Sequence, residues 1–219
     1  MSTFPGSPRL VKGGLVLLDT LTTAVLRVIT LQYNPETLTR TLQVKSTPPE
    51  GGDRLEALRL TGPPVETIKL DAELDAADQL EFPDQNPTVV DAGLAPQLAA
   101  LETLVYPPSG QIRTNNTLAQ AGTLEIDPVE APLTLFVWSK NRVLPVRLTD
   151  VSITEEAFDP QLNPIRAKVS LGLRVLTVND LPYDHPGNSI FMAYLQQKER
   201  LSAQSPGGSL SALGITRVL

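Results

Sequence analysis

Between Leu133 and Val178 the chain carries three long segments, Leu133 to Ser139, Val143 to Phe158 and Ile165 to Val178. They are joined by Ser139-Lys140-Asn141-Arg142 and by Asp159-Pro160-Gln161-Leu162-Asn163-Pro164, both rich in turn-forming residues. In the last segment Ala167, Val169, Leu171, Leu173 and Val175 alternate without a fault with Lys168, Ser170, Gly172 and Arg174. Successive side chains of a strand point to opposite faces, so this period assigns the first set to a core and the second to a solvent or channel face. A chain dominated by such segments is expected to be mainly β.

The same pattern appears earlier. Val25, Leu26, Val28, Ile29 and Leu31 interleave with Arg27, Thr30 and Gln32, which predicts a strand over 23–33 buried on much of both faces. Residues 9–19 are its expected partner across the polar interruption that opens at Asp19 and Thr20. Tyr33-Asn34-Pro35-Glu36 has turn chemistry, because Pro35 fixes φ and Asn34 can bond locally, and Leu38, Arg40, Leu42 and Val44 resume the alternation. The proline- and glycine-bearing stretch 45–53 predicts an exposed loop. Strands follow at 56–61 and 65–74, kinked at Gly62-Pro63-Pro64, with Ile68, Leu70, Ala72 and Leu74 on one face of the second.

Helical signals are fewer. From Asp75 to Asp91 acids and prolines dominate, which predicts a surface loop with at most a short helical turn. Leu94, Leu98, Leu101 and Val105 recur at helical spacing and predict one helix packed on a sheet, ended by Pro107-Pro108. Residues 109–121 are expected to be a loop, with a short strand around Leu124 and Ile126. Near 188–202, Ile190, Phe191, Tyr194, Leu195, Lys198 and Leu201 predict a second helix, capped by Asn188 or Ser189. Ser205-Pro206-Gly207-Gly208-Ser209 is linker chemistry, and the apolar segment after it needs a partner surface to become ordered. The expected organisation is a β domain over 1–178 followed by a C-terminal helix and flexible tail over 179–219.

Composition narrows the function. The chain has 219 residues, 41% of them hydrophobic and 19% charged, enough apolar material for a core. A formal charge of -6 without clustered Lys and Arg argues against a nucleic-acid partner. With no cysteine there is neither a disulfide framework nor a thiolate site. No stretch approaches the ~20 apolar residues of a membrane-spanning helix, and no signal-peptide pattern opens the chain. The expected location is the bacterial cytoplasm, within a particle that lysis releases.

Catalytic chemistry finds little footing. The single histidine, His185, stands in a turn sequence before the terminal helix, so a two-histidine metal motif is impossible. Gly13-Gly14, Gly51-Gly52 and Gly207-Gly208 lack the strand-to-helix context of a phosphate-binding loop. Glu155 and Glu156 are adjacent on a strand and point to opposite faces, so they make no carboxylate dyad. The acids of 75–91 lack the glycine and closing glutamate of a calcium loop. Asn115-Asn116-Thr117 matches a glycosylation acceptor, but without a secretory signal it reads as an ordinary loop sequence. No cofactor and no metal are expected.

Three places resemble the tube-adaptor proteins of contractile injection systems, relatives of the baseplate tube proteins of contractile phage tails and antifeeding-prophage-like particles. They are the turn Tyr33-Asn34-Pro35-Glu36-Thr37-Leu38, the strand entry Leu60-Thr61-Gly62-Pro63-Pro64-Val65-Glu66-Thr67-Ile68, and the succession from Leu101 to Pro108 through Pro132 to Trp138, Val146 to Phe158 and Asn163 to Val169. The likeness runs over about residues 10–178. It implies a tail-tube-like β-barrel or sandwich with one packed helix and a C-terminal helical tail. It also implies a hexameric ring that joins the spike or hub to the inner tube and helps initiate tube and sheath assembly, contacting sheath-initiating baseplate proteins. The LysM module that follows in many relatives is not apparent after Thr177, which makes the C-terminal helix the substitute contact.

The residues assigned to the assembly interface are Tyr33, Asn34, Pro35, Trp138, Lys168, Arg174, Phe191 and Tyr194. Other readings are a terminal tube or cap component, a carbohydrate- or ligand-binding β-sandwich using Trp138, Tyr106 and the acidic loop, and a hydrolase with a loop-borne site.

Overall fold

The computed structural model of the chain describes residues 10–46, 59–122 and 131–218. Its strands are β1 (Gly14–Leu18), β2 (Val25–Thr30), β3 (Leu38–Gln43), β4 (Val65–Asp75), β5 (Leu133–Ser139), β6 (Arg142–Phe158) and β7 (Pro164–Val175). All pair antiparallel in one seven-stranded sheet of order β2-β1-β5-β6-β7-β4-β3. The chain is mainly β, as the alternation predicts, and its sheet is open rather than closed into a barrel.

The longest ladders carry the core. Across β4 and β7 the register sets Ile68 opposite Leu173, Leu70 opposite Leu171, Ala72 opposite Val169 and Leu74 opposite Ala167. Val151 and Ile153 of β6 extend two of these rows on the other side of β7. Leu171 is 2% exposed, and Ile68, Val169 and Leu173 are fully buried. Burying one such side chain contributes roughly 1.5–3 kcal/mol, so the rows are the main apolar stabilisation of the sheet.

The turns follow from short polar side chains. At the β1–β2 turn Asp19 accepts from the Leu21 and Thr22 N–H groups at 3.1 and 2.7 Å, and Thr23 takes a left-handed φ of 58°. At the β6–β7 turn Asp159 accepts from the Gln161 and Asn163 N–H groups, both at 2.8 Å. The Asn163 side chain then donates to the carbonyl of Asp91 at 3.1 Å, fixing the helical segment to the hairpin tip.

The sheet curls until the chain just beyond β2 meets the end of β4. Gln32, just beyond β2, donates to the carbonyl of Asp75 at 2.6 Å and accepts from the Asp75 N–H at 2.9 Å. One side-chain amide thereby supplies the donor and acceptor that a neighbouring strand would have supplied.

Five helices complete the described fold: α1 (Ala77–Leu80), α2 (Pro87–Ala92), α3 (Ala95–Glu102), α4 (Ser109–Gln120) and α5 (Pro186–Ala203). Leu94, Leu98 and Leu101 are buried in the core as their spacing predicts, but α3 stops at Glu102 and Val105 is exposed. Gly93 turns the chain between α2 and α3 at φ 55°, where a Cβ would lie 2.3 Å from the Pro164 carbonyl. The acidic stretch after Asp75 holds two short helices and a 3-10 turn, Pro83–Gln85, rather than a loop with one turn.

Residues 109–120 form a helix where a loop is expected, and the reason is visible: none of its side chains is buried, so no apolar stripe announces it. Thr114 and Thr117 instead donate to the carbonyls four residues earlier, at 3.1 and 3.0 Å. The expected strand at Leu124 and Ile126, most of the 45–53 loop and residues 56–58 lie outside the described residues. Of the strand expected at 56–61, Leu60 makes an isolated bridge to Ser46. β7 ends at Val175, and the chain then turns through Thr177, whose N–H and hydroxyl both donate to Asp180 at 2.9 Å.

Two consequences can be measured. Leu171→Asp places an unpaired carboxylate in the central row, a cost of several kcal/mol against the ~5–15 kcal/mol stability of a domain, so insoluble or unfolded protein is expected. Lys168→Glu removes an exposed ion pair with Glu156 and should leave circular dichroism and cooperative melting intact. The Leu171 assignment to the core is wrong if both variants melt alike.

The second concerns acid. The Ala77 N–H, aided by Arg166, holds the Asp75 carboxyl below the usual carboxylate range. A pKa depressed on folding stabilises above the unfolded value near ~3.9 and ceases to do so as pH falls through the folded value. Asp75→Asn should therefore flatten the decline of stability below about pH 4 in denaturant titrations. An unchanged acid limb would remove Asp75 from that role.

Candidate functional site

Two regions gather the polar chemistry of the molecule: the outer face of β4, β7 and β6, and the junction of β3 and β4 with α5. On the outer face Arg166, Lys168 and Ser170 of β7 meet partners from neighbouring strands. Arg166 pairs with Asp75 at 2.9 Å, Lys168 with Glu156 at 2.7 Å, and Ser170 donates to Asp71 at 2.5 Å. Arg174 reaches Asp180, just past β7, at 2.6 Å. The hydrogen bond to Glu156, with its charge, raises the pKa of Lys168 above the ordinary lysine value. The face is thus polar and partly ion-paired, with Gly172 at its middle opposite Asp150.

The second region is buried. Glu66 enters from β4 with its side chain 4% exposed, and receives Arg40 of β3 at 2.6 Å and Lys198 of α5 at 3.0 Å. Arg40 also donates to the Tyr194 hydroxyl at 3.1 Å, and the Lys198 ammonium lies 4.3 Å from the centre of the Tyr194 ring. Burial opposes the charge on Arg40, but the hydrogen bond and charge of Glu66 outweigh it and hold Arg40 above its ordinary value. One carboxylate therefore ties the sheet's β3 edge to the C-terminal helix. The alternation of β4 places Glu66 on the core-facing side; nothing local in the sequence reveals its two partners, which are 26 and 132 residues away.

The residues assigned to an interface fall into different settings. Tyr33 is exposed. Asn34 does not bond within its own turn but clasps the chain before β1, accepting from the Gly13 N–H at 2.9 Å and donating to the Val11 carbonyl at 2.8 Å, with Pro35 half-buried beside it. Trp138 is half-buried and stacks on Phe136 with ring centres 5.8 Å apart. Lys168 and Arg174 stand on the outer face as the alternation predicts. Phe191 and Tyr194 are buried in the protein's own core, so they position α5 rather than present a surface.

The strand edges are what the sequence pattern does not disclose. Among the described residues β2 has β1 as its single partner, and β3 has β4. β5 pairs with β6 up to Val146, so among the described residues β6 from Arg147 to Phe158 has β7 alone. Along β2, Val25, Leu26 and Val28 are 61%, 55% and 57% exposed, although the sequence led us to expect burial on much of both faces.

His185 is the N-cap of α5, its Nδ1 accepting from the Gly187 N–H at 3.0 Å, where Asn188 or Ser189 had been expected. Glu155 and Glu156 are both exposed, and Asn115-Asn116-Thr117 lies within α4. Among the described residues no three of His, Cys, Asp and Glu converge as a metal site, and no helix is long and apolar enough to cross a membrane.

No protein-family model matches the chain, and no curated protein matches it. Among solved structures it is similar to a chain of the "Virion of native gene transfer agent (GTA) particle", over 74% of this chain and 90% of that one. The identity is 10% and the TM-score 0.28, a likeness too slight to assign a shared fold or role.

The Glu66 junction yields its own expectation. Glu66→Gln leaves Arg40 and Lys198 facing a neutral amide, and removal of one partner from a buried pair costs ~3–5 kcal/mol. The lower end applies here, because both cations keep some access to water. Hydrogen exchange across α5 should accelerate, and adding Lys198→Met should recover part of the loss. Unchanged α5 protection in Glu66→Gln would show that the helix is held by its apolar contacts alone.

Proposed function

We propose that this chain is a structural assembly protein rather than an enzyme, an adaptor that forms a ring in a contractile injection particle. The observation that carries the reading is the β2 edge. Natural sheets blunt their outer strands with Lys, Pro or bulges, because a free row of N–H and C=O groups recruits another strand. β2 offers Val25-Leu26-Arg27-Val28-Ile29-Thr30 with one charge and no proline, three of its apolar side chains more than half exposed, and its one irregularity lies at its start, where Leu26 is the extra residue opposite Leu17 and Leu18. Such an edge is suited to pairing with a strand from another chain.

Among the described residues, the stretch of β6 from Arg147 to Phe158 is a second edge. Pairing between unlike edges is head-to-tail, and a head-to-tail contact that closes makes a ring. The resemblance of Tyr33 to Leu38, Leu60 to Ile68 and the later strand block to tube-adaptor proteins supports a hexameric ring between spike or hub and inner tube, with sheath-initiating baseplate proteins as further partners. A position at the opposite, capped end of the tube is the alternative within this reading. The polar outer face, several of whose charges are ion-paired, suits a channel or solvent boundary.

Val28→Lys tests the edge. The residue is exposed, so melting should shift little, whereas ring formation followed by analytical ultracentrifugation and electron microscopy should be lost. Deleting the gene from its native operon should abolish assembled particles. Wild-type protein that stays monomeric at all concentrations, together with normal particles in the deletion strain, would defeat the proposal.

A further inference from the structure

The Glu66 junction carries more positive charge than it cancels. Oε1 of Glu66 accepts from Arg40 and Oε2 from Lys198, so one carboxylate faces two cations. Tyr194, the other member, brings a hydroxyl to Arg40 and a ring face to Lys198, not a second carboxylate. Among the described residues no further acid lies within ion-pair distance of either cation. One excess positive charge therefore remains. Lys198 is the more open of the two cations, its side chain 34% exposed, and of its three ammonium donors one is given to Glu66.

Lys198 and Glu66 also border a cavity of about 270 Å³. Pro63 and Pro64 at the entry to β4, with Phe191 and Leu195 of α5, form the apolar part of its described wall. The prolines have no backbone N–H, so that side of the wall offers carbon and no donors. An apolar cavity of ~150 Å³ takes a benzene ring, and this one has room for a ring with a short side arm. Concave apolar walls with a few placed polar groups are the usual form of a small-ligand site.

We infer that this cavity binds an aromatic monocarboxylate, with the ring against Pro63, Pro64 and Phe191 and the carboxylate on Lys198. Charge selects the head group. A carboxylate accepts a charge-assisted hydrogen bond from the ammonium and cancels the single excess charge. A phosphate monoester brings nearly two negative charges, and the surplus would fall beside the buried Glu66. An amine would add a third cation to the two already present, and a neutral body would leave the excess charge uncancelled. The walls select the rest, because burying a ring against apolar and aromatic side chains is favourable and a flat body suits a Phe-lined slot. The inference goes beyond the assembly reading and does not depend on it.

The full-length chain is titrated with 3-phenylpropionate, 3-phenylpropanol and 3-phenylpropylamine, which share one ring and side arm and differ in charge, and binding is followed by amide NMR shifts. Saturable shifts centred on Phe191 to Lys198 are expected for the acid, with an affinity on the order of tenfold above the alcohol, and the amine weakest. Lys198→Met leaves Glu66 paired with Arg40 alone, so it should bring the acid down to the alcohol's affinity and leave the alcohol unchanged. Leu195→Trp fills the cavity and should abolish both. Acid and alcohol binding alike, no saturable binding of the acid in the millimolar range, or acid binding untouched by Lys198→Met overturns the inference. The ranking of the three ligands on the unaltered chain decides by itself if a variant does not fold. Sedimentation of the same samples keeps the two proposals apart: the ranking in a chain that never assembles defeats the ring alone, and rings without the ranking defeat the ligand site alone.

Discussion

The pairing of β6, β7 and β4 around one apolar face is the constraint on which the rest of the molecule depends. Ile68, Leu70, Ala72, Val169, Leu171 and Leu173 lie in directly opposed rows, and shifting any strand by one residue would exchange them for Lys69, Asp71, Lys168 and Ser170. Register is therefore specified by the cost of burying charge, not by the turns alone. Leu94, Leu98 and Leu101 close over this face because it leaves apolar surface to cover, and the Gly93–Pro164 approach sets where they sit. The curl of the sheet brings β2 close enough to β4 for Gln32 to clasp Asp75.

Electrostatics divides along the same sheet. The outer face keeps Arg166, Lys168 and Arg174 in partly hydrated ion pairs, each worth little by itself. The inner junction holds a single buried carboxylate with two cations, and loss of the carboxylate would leave both cations uncompensated in a poorly hydrated site. The first arrangement suits a boundary with water or a channel; the second fixes α5 in one place, so that the tail beyond Ala203 leaves the body in a defined direction.

Much of the fold is legible in the alternation. β1, β2, β3, β4, β5, β6 and β7 all lie where period-two patterning and turn residues place them, because a half-buried strand writes its two environments directly into the sequence. The apolar stripe of 190–201 likewise marks α5. α4 was not legible, since a helix that buries nothing has no stripe, and its polar residues look like those of a loop. The exposure of β2 was also hidden: Val25, Leu26 and Val28 have the composition of a buried strand, and only the sheet order makes β2 an edge.

The candidate surfaces divide in the same way. Lys168 and Arg174 could be assigned to a face from sequence because orientation within a strand is local. Phe191 and Tyr194 could be recognised as apolar anchors, but whether they face a partner or the protein itself depends on where α5 lands. Glu66 could be placed on an inward face but not matched with Arg40 and Lys198, and no pattern could bring Pro63, Phe191 and Lys198 around one cavity. The sequence by itself determined which residues alternate, where strands begin and turn, and that thiol chemistry is absent. Only the tertiary structure decided which strands are edges, which ions meet and where a cavity remains, because those properties arise from contacts between segments far apart in the chain, and local periodicity carries no record of them.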